Sequence, residues 1–190
     1  MSIPCESNSD LVHAVCLPGA ARVTVRPAGP EDSEIIQSYI RQLHPTSRHS
    51  RFLGTVNELS PAQLRGMTHT DHRNRLAMIA ETVVAGVRVM IGEACYAIDP
   101  DGLGCEMAVS VADAWRRRTL GARLLGILAR RAGSVGARTL TGEVLRSNEA
   151  MRALARKLGA VVTAPIMDAR LIRVTKQLSL PPTGISADRR

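Results

Sequence analysis

Aromatic residues make up only 2% of this 190-residue sequence: one Trp (Trp115), one Phe (Phe52) and two Tyr (Tyr39 and Tyr96). The apolar residues, 45% of the chain, are therefore almost all aliphatic, and they are numerous enough for a globular core. Modules that recognise single-stranded nucleic acid stack the bases on aromatic side chains. The composition thus predicts an aliphatic core and argues against such a module.

Lysine is also scarce, because all but two of the 25 basic residues (Lys157 and Lys176) are arginines. Against 17 acidic residues they give a net charge of +8. The guanidinium group binds phosphate and carboxylate groups through two hydrogen bonds at once. The bias favours an anionic partner such as a phosphorylated cofactor, with a solvated basic surface as the alternative. We expect no nucleic acid partner, although duplex DNA remains a testable possibility.

Cysteine and histidine do not occur in a metal-binding pattern. Cys95 and Cys105 flank a turn at residues 99–102 and could face each other across two antiparallel strands, but we expect reduced packing residues. His69 and His72 are three residues apart and have no evident third ligand. Zinc sites need three or four ligands, so we predict that the protein binds no metal.

Long hydrophobic runs and a secretory signal are absent as well. We therefore expect a cytoplasmic protein that does not bind membranes. The length fits one domain. We predict an N-terminal extension at residues 1–21, a single domain at residues 22–178 and a disordered tail at residues 179–190.

The residue periodicity predicts an α/β (α+β) fold with a mixed central sheet of about seven strands and helices on both faces. A capping box at Ser60–Gln63 begins a short helix, and Asn148 is an N-cap candidate. Residues 44–59 are predicted to be a polar, basic loop. The predicted strands are 22–26, 76–81, 87–98, 105–111, 139–145, 161–163 and 170–177.

One segment predicts chemistry, since a strand ending near Val111 leads through a turn into a helix that begins at Leu120. The free N–H groups and the dipole of a helix N-terminus attract anions, and neighbouring arginines add cationic donors. A diphosphate ligand fits this pattern, and a basic helix start without a ligand is the alternative. The candidate cofactor-binding residues here are Arg116, Arg117, Arg118, Thr119, Leu120, Gly121 and Ala122.

The same segment resembles the acetyl-CoA pyrophosphate loop of the GNAT acetyltransferase superfamily, Q/R-x-x-G-x-G/A. Arg116 takes the first position and Gly121 the last, whereas Thr119 replaces the first glycine. The resemblance extends over about residues 22–178 and is strongest to the GNAT domain of bacterial Pat-type protein lysine acetyltransferases. The further stretches that carry it are Ser60–Leu64 with Asp71, Asp99–Gly102 with Cys105–Val109, and Gly142–Asn148 with Ala155–Gly159.

This resemblance implies an N-acetyltransferase that moves an acetyl group from acetyl-CoA to a primary amine by direct transfer in a ternary complex. A protein lysine is the expected acceptor, and a small-molecule amine is the runner-up. The main-chain N–H groups of Val109 and Val111 would bind the thioester carbonyl oxygen, and Asn148 would contact CoA. In Pat-type proteins the domain is often joined to a cyclic-nucleotide-binding or acyl-CoA-synthetase-like domain, which a chain of this length has no room for.

A base must accept the proton of the amine. Glu106, which the resemblance places before the phosphate loop, is the first candidate, Glu143 is the second, and a structural ion pair is the alternative role. Many GNAT enzymes protonate the leaving thiolate with a Tyr where this sequence has Ala155. A CoA-binding regulatory domain without turnover therefore stays open. The exposed closing strands also allow a homodimer.

Overall fold

A computed structural model describes residues 11–18, 22–163 and 168–179. Eight strands form one sheet in the order β1-β2-β3-β4-β5-β6-β8-β7. The strands are β1 (His13–Cys16), β2 (Arg22–Pro27), β3 (Arg75–Val84), β4 (Val87–Ile98), β5 (Gly104–Val111), β6 (Thr139–Leu145), β7 (Val161–Thr163) and β8 (Leu171–Gln177). The helices are α1 (Ser33–Gln42), α2 (Pro45–Phe52), α3 (Pro61–Thr68), α4 (Leu120–Ser134) and α5 (Glu149–Lys157).

The sheet is mixed because one strand pair, β5 with β6, is parallel while the remaining pairs of the described sheet are antiparallel. Helix α4 makes the crossover that a parallel pair requires. The pairing of β5 with β6 spans only Gly104–Glu106 and Thr139–Thr141, although both strands continue. The two strands therefore separate beyond these residues and leave an opening in the middle of the sheet.

Helices cover both faces of the sheet, which confirms the predicted architecture. Along β3, successive side chains point to opposite faces, so Ala77 and Ile79 pack against α1 and α3 while Leu76 and Met78 pack against α4. In the described chain no helix is both long and apolar enough to cross a membrane.

Helix α5 lies on the α4 side of the sheet, where Ala155 packs against Val144 and Val174. The opposite side of β6 and β8 carries the exposed residues Glu143 and Arg173. Helices α1 to α3 thus cover one half of their sheet face, whereas the half formed by β6 and β8 presents polar side chains to solvent.

The sheet has one strand more than the seven predicted. Strand β1 lies within the segment predicted as an extension, and it pairs with β2 through His13 and Val25. Only Val15 of its four residues is buried, so the sequence shows no alternation long enough to reveal a strand. The predicted domain boundaries remain predictions, and residues 1–10, 19–21 and 180–190 lie outside the described residues.

The prediction of a loop at residues 44–59 is wrong, because α2 occupies its first half. Pro45 starts this helix, and the His44 ring nitrogen Nδ1 accepts a hydrogen bond from the Thr46 N–H at 3.4 Å. The side of α2 that faces the protein carries Ser47 and Arg51. An apolar stripe, the usual sequence signal of a packed helix, is therefore missing.

The two central cysteines do not face each other, contrary to one expectation. Cys95 packs with the α1–α3 cluster and Cys105 with the α4 cluster, on opposite sides of the sheet. Both are free thiols, as is Cys16, while Cys5 lies outside the described residues. Burial and the nearby Asp99 carboxylate raise the pKa of Cys105 to about 12. These thiols are packing groups, as predicted.

Candidate active site

The opening between β5 and β6 receives backbone donors from β5. The N–H of Ala112 donates to the carbonyl of Ile91 at 2.9 Å, which fixes the direction of the ladder between β4 and β5. Since N–H groups alternate in direction along an antiparallel strand, those of Val109 and Val111 point away from β4 and into the opening. These are the two N–H groups that the family resemblance implies as donors to the thioester carbonyl oxygen.

Gly142 allows β6 to pass close to β5 at the base of this opening. A Cβ atom at this position would lie 3.2 Å from the Met107 carbonyl oxygen and 3.1 Å from the Met107 Cε atom. A larger residue would therefore push the two strands further apart.

The side chains of β5 alternate between the two faces of the sheet. Glu106, Ala108 and Ser110 lie on the face that α1 to α3 partly cover, whereas Met107 and Val109 pack toward α4. The backbone donors of the opening are thus flanked by polar side chains on one face and by apolar side chains on the other.

Glu106 lies where β5 and β6 begin to separate, because its Cα pairs with Thr141 of β6. Its side chain is exposed to solvent. Glu143 is two residues further along β6 on the same face, and its Oε1 accepts a hydrogen bond from Arg173 Nη2 at 3.3 Å. The structure therefore places both candidate bases beside the opening, with Glu143 engaged in an ion pair.

The predicted phosphate loop has a strained backbone. Arg117 and Thr119 have φ angles of 60° and 67°, in the left-handed region that glycine adopts most readily. Residues 116–119 are exposed, and α4 begins at Leu120 with no acidic residue in its first turn. The first N–H groups of α4 and three arginines therefore share one surface. The left-handed φ angle gives a physical reason for glycine at the position that Thr119 occupies.

Arg116 connects this loop to α2. Its Nη2 donates to Ser47 Oγ at 2.8 Å, and its Nη1 lies 3.2 Å from Asp113 Oδ1. Asp113 also accepts from Ser47 Oγ at 2.7 Å and from the His44 N–H at 3.0 Å. Burial disfavours the charged carboxylate, but these two hydrogen bonds outweigh it and lower the pKa of Asp113.

Arg118 and Asn148 are two further predicted site residues, and Ala155 is the residue at the position of the family tyrosine. The Arg118 guanidinium carbon lies 5.0 Å from the centre of the Trp115 ring, a cation–π contact. Asn148 Oδ1 accepts the Met151 N–H at 3.0 Å, which confirms the N-cap and leaves its Nδ2 as a donor for a ligand. Ala155 is buried and lines a 30 Å³ apolar cavity between α4 and α5.

A buried polar network lies beside the opening, and no motif in the sequence predicted it. Glu93 of β4 is 0% exposed and accepts hydrogen bonds from Arg51 of α2 and from Ser110 of β5. Tyr39 of α1 is hydrogen-bonded to Ser110 at 2.9 Å. Arg51 lies in the segment that was predicted to be a polar, basic loop, but its side chain is only 11% exposed. Glu93, the one charged residue between positions 89 and 98 of β4, was the signal in the sequence.

Arg48 and His49, which precede Arg51 on α2, make no hydrogen bond to Glu93 among the described contacts. Arg48 donates to the carbonyls of Arg41 and Leu43 at the end of α1, while His49 is exposed.

In the α3–β3 loop, the Asp71 carboxylate accepts hydrogen bonds from the N–H groups of residues 73–75. Asp71 therefore stabilises the loop itself. The described residues contain no group of three potential metal ligands.

Comparison with known proteins gives a consistent set of similarities. Residues 40–160 match the family model described as the acetyltransferase (GNAT) family. An acetyltransferase of Pseudomonas aeruginosa is 34% identical over 139 residues, which are 73% of this chain and 75% of the relative.

Two solved structures resemble the fold. The GNAT domain of Streptomyces lividans PAT is 25% identical with a TM-score of 0.81, covering 91% of this chain and 100% of that domain. A Salmonella typhimurium protein solved with its cofactor acetyl-CoA is 21% identical with a TM-score of 0.59, covering 85% of this chain and 96% of that protein.

Proposed function

The chain belongs to the GNAT family of acetyltransferases and uses acetyl-CoA for N-acetylation, and we propose that its acceptor is the ε-amine of a protein lysine. We further propose that the amine attacks the bound thioester directly, in a ternary complex. The observation that carries the proposal is the opening between β5 and β6, which combines two backbone donors with a basic helix N-terminus.

The loop before α4 would bind the diphosphate of CoA. The N–H groups of Leu120, Gly121 and Ala122 lie at the positive end of the helix dipole, where an anion is stabilised. Arg117 and Arg118 would add charge-assisted hydrogen bonds. Nδ2 of Asn148, at the start of α5, would donate to the pantetheine or phosphate portion.

The thioester would then lie in the opening, with its carbonyl oxygen near the N–H groups of Val109 and Val111. The amine nitrogen attacks the carbonyl carbon, and the oxygen of the tetrahedral intermediate becomes negative. Two preorganised N–H donors stabilise that charge more in the transition state than in the ground state. When the intermediate collapses, the C–S bond breaks and CoA leaves as a thiolate.

Two protons must move during this reaction. A lysine amine has a pKa of about 10.4, so it must lose a proton before attack and a second one after it. Glu106 is exposed beside the opening and would accept a proton directly or through water. The thiolate would take a proton from water, because Ala155 has no acidic group at the position of the family tyrosine.

The acceptor class rests on the exposed half of the sheet. Glu143 lies there, Glu106 lies beside it on β5, both side chains are exposed, and their charges would attract a cationic side chain. The similarity to the GNAT domain of a PAT protein favours a protein lysine. A small-molecule amine would use the same charges and is the second candidate.

Calorimetric titration of acetyl-CoA tests the first step. We expect micromolar binding that weakens for an analogue lacking the 3′-phosphate and for Arg118→Ala. Absence of binding at millimolar acetyl-CoA would overturn the proposal. Binding without turnover toward any amine would instead support the regulatory alternative.

Glu106→Gln tests the proposed base. We expect binding of acetyl-CoA to persist while kcat falls about a hundredfold, within the range typical of general-base catalysis. Glu143→Gln is the matched control on the same face. An unchanged rate of Glu106→Gln across pH 6–9 would remove Glu106 from the mechanism and make Glu143 the candidate.

We also propose a homodimer that works in the cytoplasm. Edge strand β7 exposes Val161 and Val162, a feature that monomeric proteins usually avoid. The free thiols of Cys16, Cys95 and Cys105 suit a reducing compartment.

A further inference from the structure

We propose that Ser110 binds the acceptor amine and orients its lone pair toward the thioester carbon. This inference rests on the proposed acetyl transfer and adds a substrate-contacting residue to it. The buried network around Glu93 supports it, because that network fixes which atom of Ser110 is free to meet a substrate.

The centre of the network is an ion pair inside the protein. Arg51 Nε and Nη2 donate to the two carboxylate oxygens of Glu93 at 2.5 and 3.1 Å, and Glu93 is 0% exposed. A two-point contact with a guanidinium group holds a carboxylate in its ionised form, which only accepts hydrogen bonds. Burial opposes the charge on Arg51, but Coulombic attraction and hydrogen bonding to Glu93, together with smaller effects of neighbouring groups, outweigh burial and raise the pKa of Arg51.

The ionised carboxylate sets the direction of the remaining hydrogen bonds. Ser110 Oγ lies 2.8 Å from Glu93 Oε1 and must donate its only proton there. The bond of 2.9 Å between Ser110 Oγ and Tyr39 Oη must then be donated by the phenol. Burial and the Glu93 charge raise the pKa of Tyr39, so the phenol keeps its proton.

Ser110 Oγ is therefore an acceptor toward anything else that approaches it. A hydroxyl oxygen has two lone pairs, and Tyr39 occupies one of them. The second lone pair can receive a hydrogen bond only from a donor, such as the N–H of an amine. Ser110 is half-buried, which leaves a path for such a group.

The position of Ser110 makes this polarity relevant to the reaction. It lies between Val109 and Val111, whose N–H groups point into the opening, and its side chain is on the same face as Glu106. An amine bonded to Ser110 Oγ would stand beside the carbonyl carbon on the face opposite the α4 side. Ser110 itself gains and loses no proton, since the proton of the amine leaves toward Glu106 and water.

The test compares three substitutions with the wild-type protein, using single-lysine peptides and spermidine as amines and acetyl-CoA as donor. We expect Ser110→Ala to lower kcat/KM for the amine at least tenfold, because a site built to hydrogen-bond an N–H loses its partner. The Kd for acetyl-CoA, measured by calorimetry, should change less than twofold. Ser110→Thr keeps the hydroxyl and should stay within threefold of wild type.

Tyr39→Phe is the matched control, because it removes the neighbouring hydroxyl and leaves the bond between Ser110 and Glu93. We expect it to lower kcat/KM less than threefold. Full activity of Ser110→Ala, or an equal loss in Tyr39→Phe and Ser110→Ala, would overturn the inference. A wild-type protein that acetylates no amine would overturn the proposed function itself, which is a separate outcome.

Discussion

Among single residues, Thr119 has a left-handed backbone conformation that its residue type disfavours. A β-branched residue with a positive φ is strained by its own Cβ, and α4 begins directly after it. The sequence reveals the departure from glycine but not its cause, because a φ angle depends on how the loop joins β5 to α4. Thr119 therefore strains the backbone of the predicted phosphate loop.

Replacing Thr119 by Gly should stabilise the protein. The left-handed conformation costs about 1–2 kcal/mol for a residue with a Cβ, and the greater freedom of glycine in the unfolded chain offsets part of that gain. We expect the free energy of unfolding to rise by up to about 1 kcal/mol in urea titration, with no weaker binding of acetyl-CoA. Thr119→Ala keeps the Cβ and should bring no such gain; a loss of stability in Thr119→Gly would contradict the explanation.

Asp32 is a buried carboxylate whose effect on stability depends on pH. It is 0% exposed and accepts hydrogen bonds from Arg26 Nη1 at 2.7 Å, Arg26 Nη2 at 2.8 Å and the Gly29 N–H at 2.8 Å. Burial opposes its ionisation, but the bonds from Arg26 and Gly29 outweigh burial and lower its pKa. Its stabilising effect is therefore complete above the unfolded-state pKa of about 3.9.

Lowering the pH should remove this contribution as the pH falls from about 4 through the lowered pKa of Asp32 in the folded protein. Asp32→Asn should destabilise the protein by about 3 kcal/mol at pH 7, because it breaks a buried ion pair. The variant should also lose less stability than wild type between pH 7 and pH 3 in urea titrations. Parallel losses in both proteins would show that Asp32 does not titrate as described.

At the scale of elements, sequence signals succeeded where they were local. Ser60 and Gln63 form both hydrogen bonds of the predicted capping box, at 3.3 and 2.8 Å. The sequence also places Leu124 and Leu128 at helical spacing in α4, and both are buried. Helix α2 was missed because polar contacts hold it on the protein, and such contacts depend on partners distant in sequence.

Helix α2 should therefore be sensitive to the loss of a single hydroxyl. Ser47 Oγ donates to Asp113 and accepts from Arg116, so Ser47→Ala leaves both partners short of a hydrogen bond. We expect the free energy of unfolding to fall by about 1–2 kcal/mol in urea titration. Ser50→Ala on the same helix is the control and should change it by less than about 0.5 kcal/mol. Equal effects of the two changes would mean that Ser47 does not dock α2.

At the scale of the whole molecule, the order of elements predicted the mixed sheet and the helices on both faces. It could not predict that β5 and β6 separate after Glu106 and Thr141, since strand pairing is a long-range property. Nor could it reveal the network that joins Arg51 to Glu93, 42 residues apart in sequence. The candidate residues on β5 came from the family resemblance, whereas their polar partners on α1, α2 and β4 needed the structure.

The association of two copies is a prediction at this scale. Val161 of the edge strand is 63% exposed, and an unpaired edge of this kind favours pairing with a second copy about a two-fold axis. We expect sedimentation velocity to show a dimer at micromolar concentration and a monomer for Val161→Glu combined with Val162→Lys. A wild-type protein that is monomeric at all concentrations would contradict the dimer.

Acetyl transfer to a lysine is the reaction that defines the proposed function, and it can be measured in one assay. The protein is incubated with acetyl-CoA and the single-lysine peptides, and thiol release is followed together with the peptide mass. We expect thiol to appear only when an amine is present, and each thiol released to match one acetyl group on a lysine nitrogen. Thiol release that does not depend on the amine, or none with any amine despite bound acetyl-CoA, would contradict the proposed function.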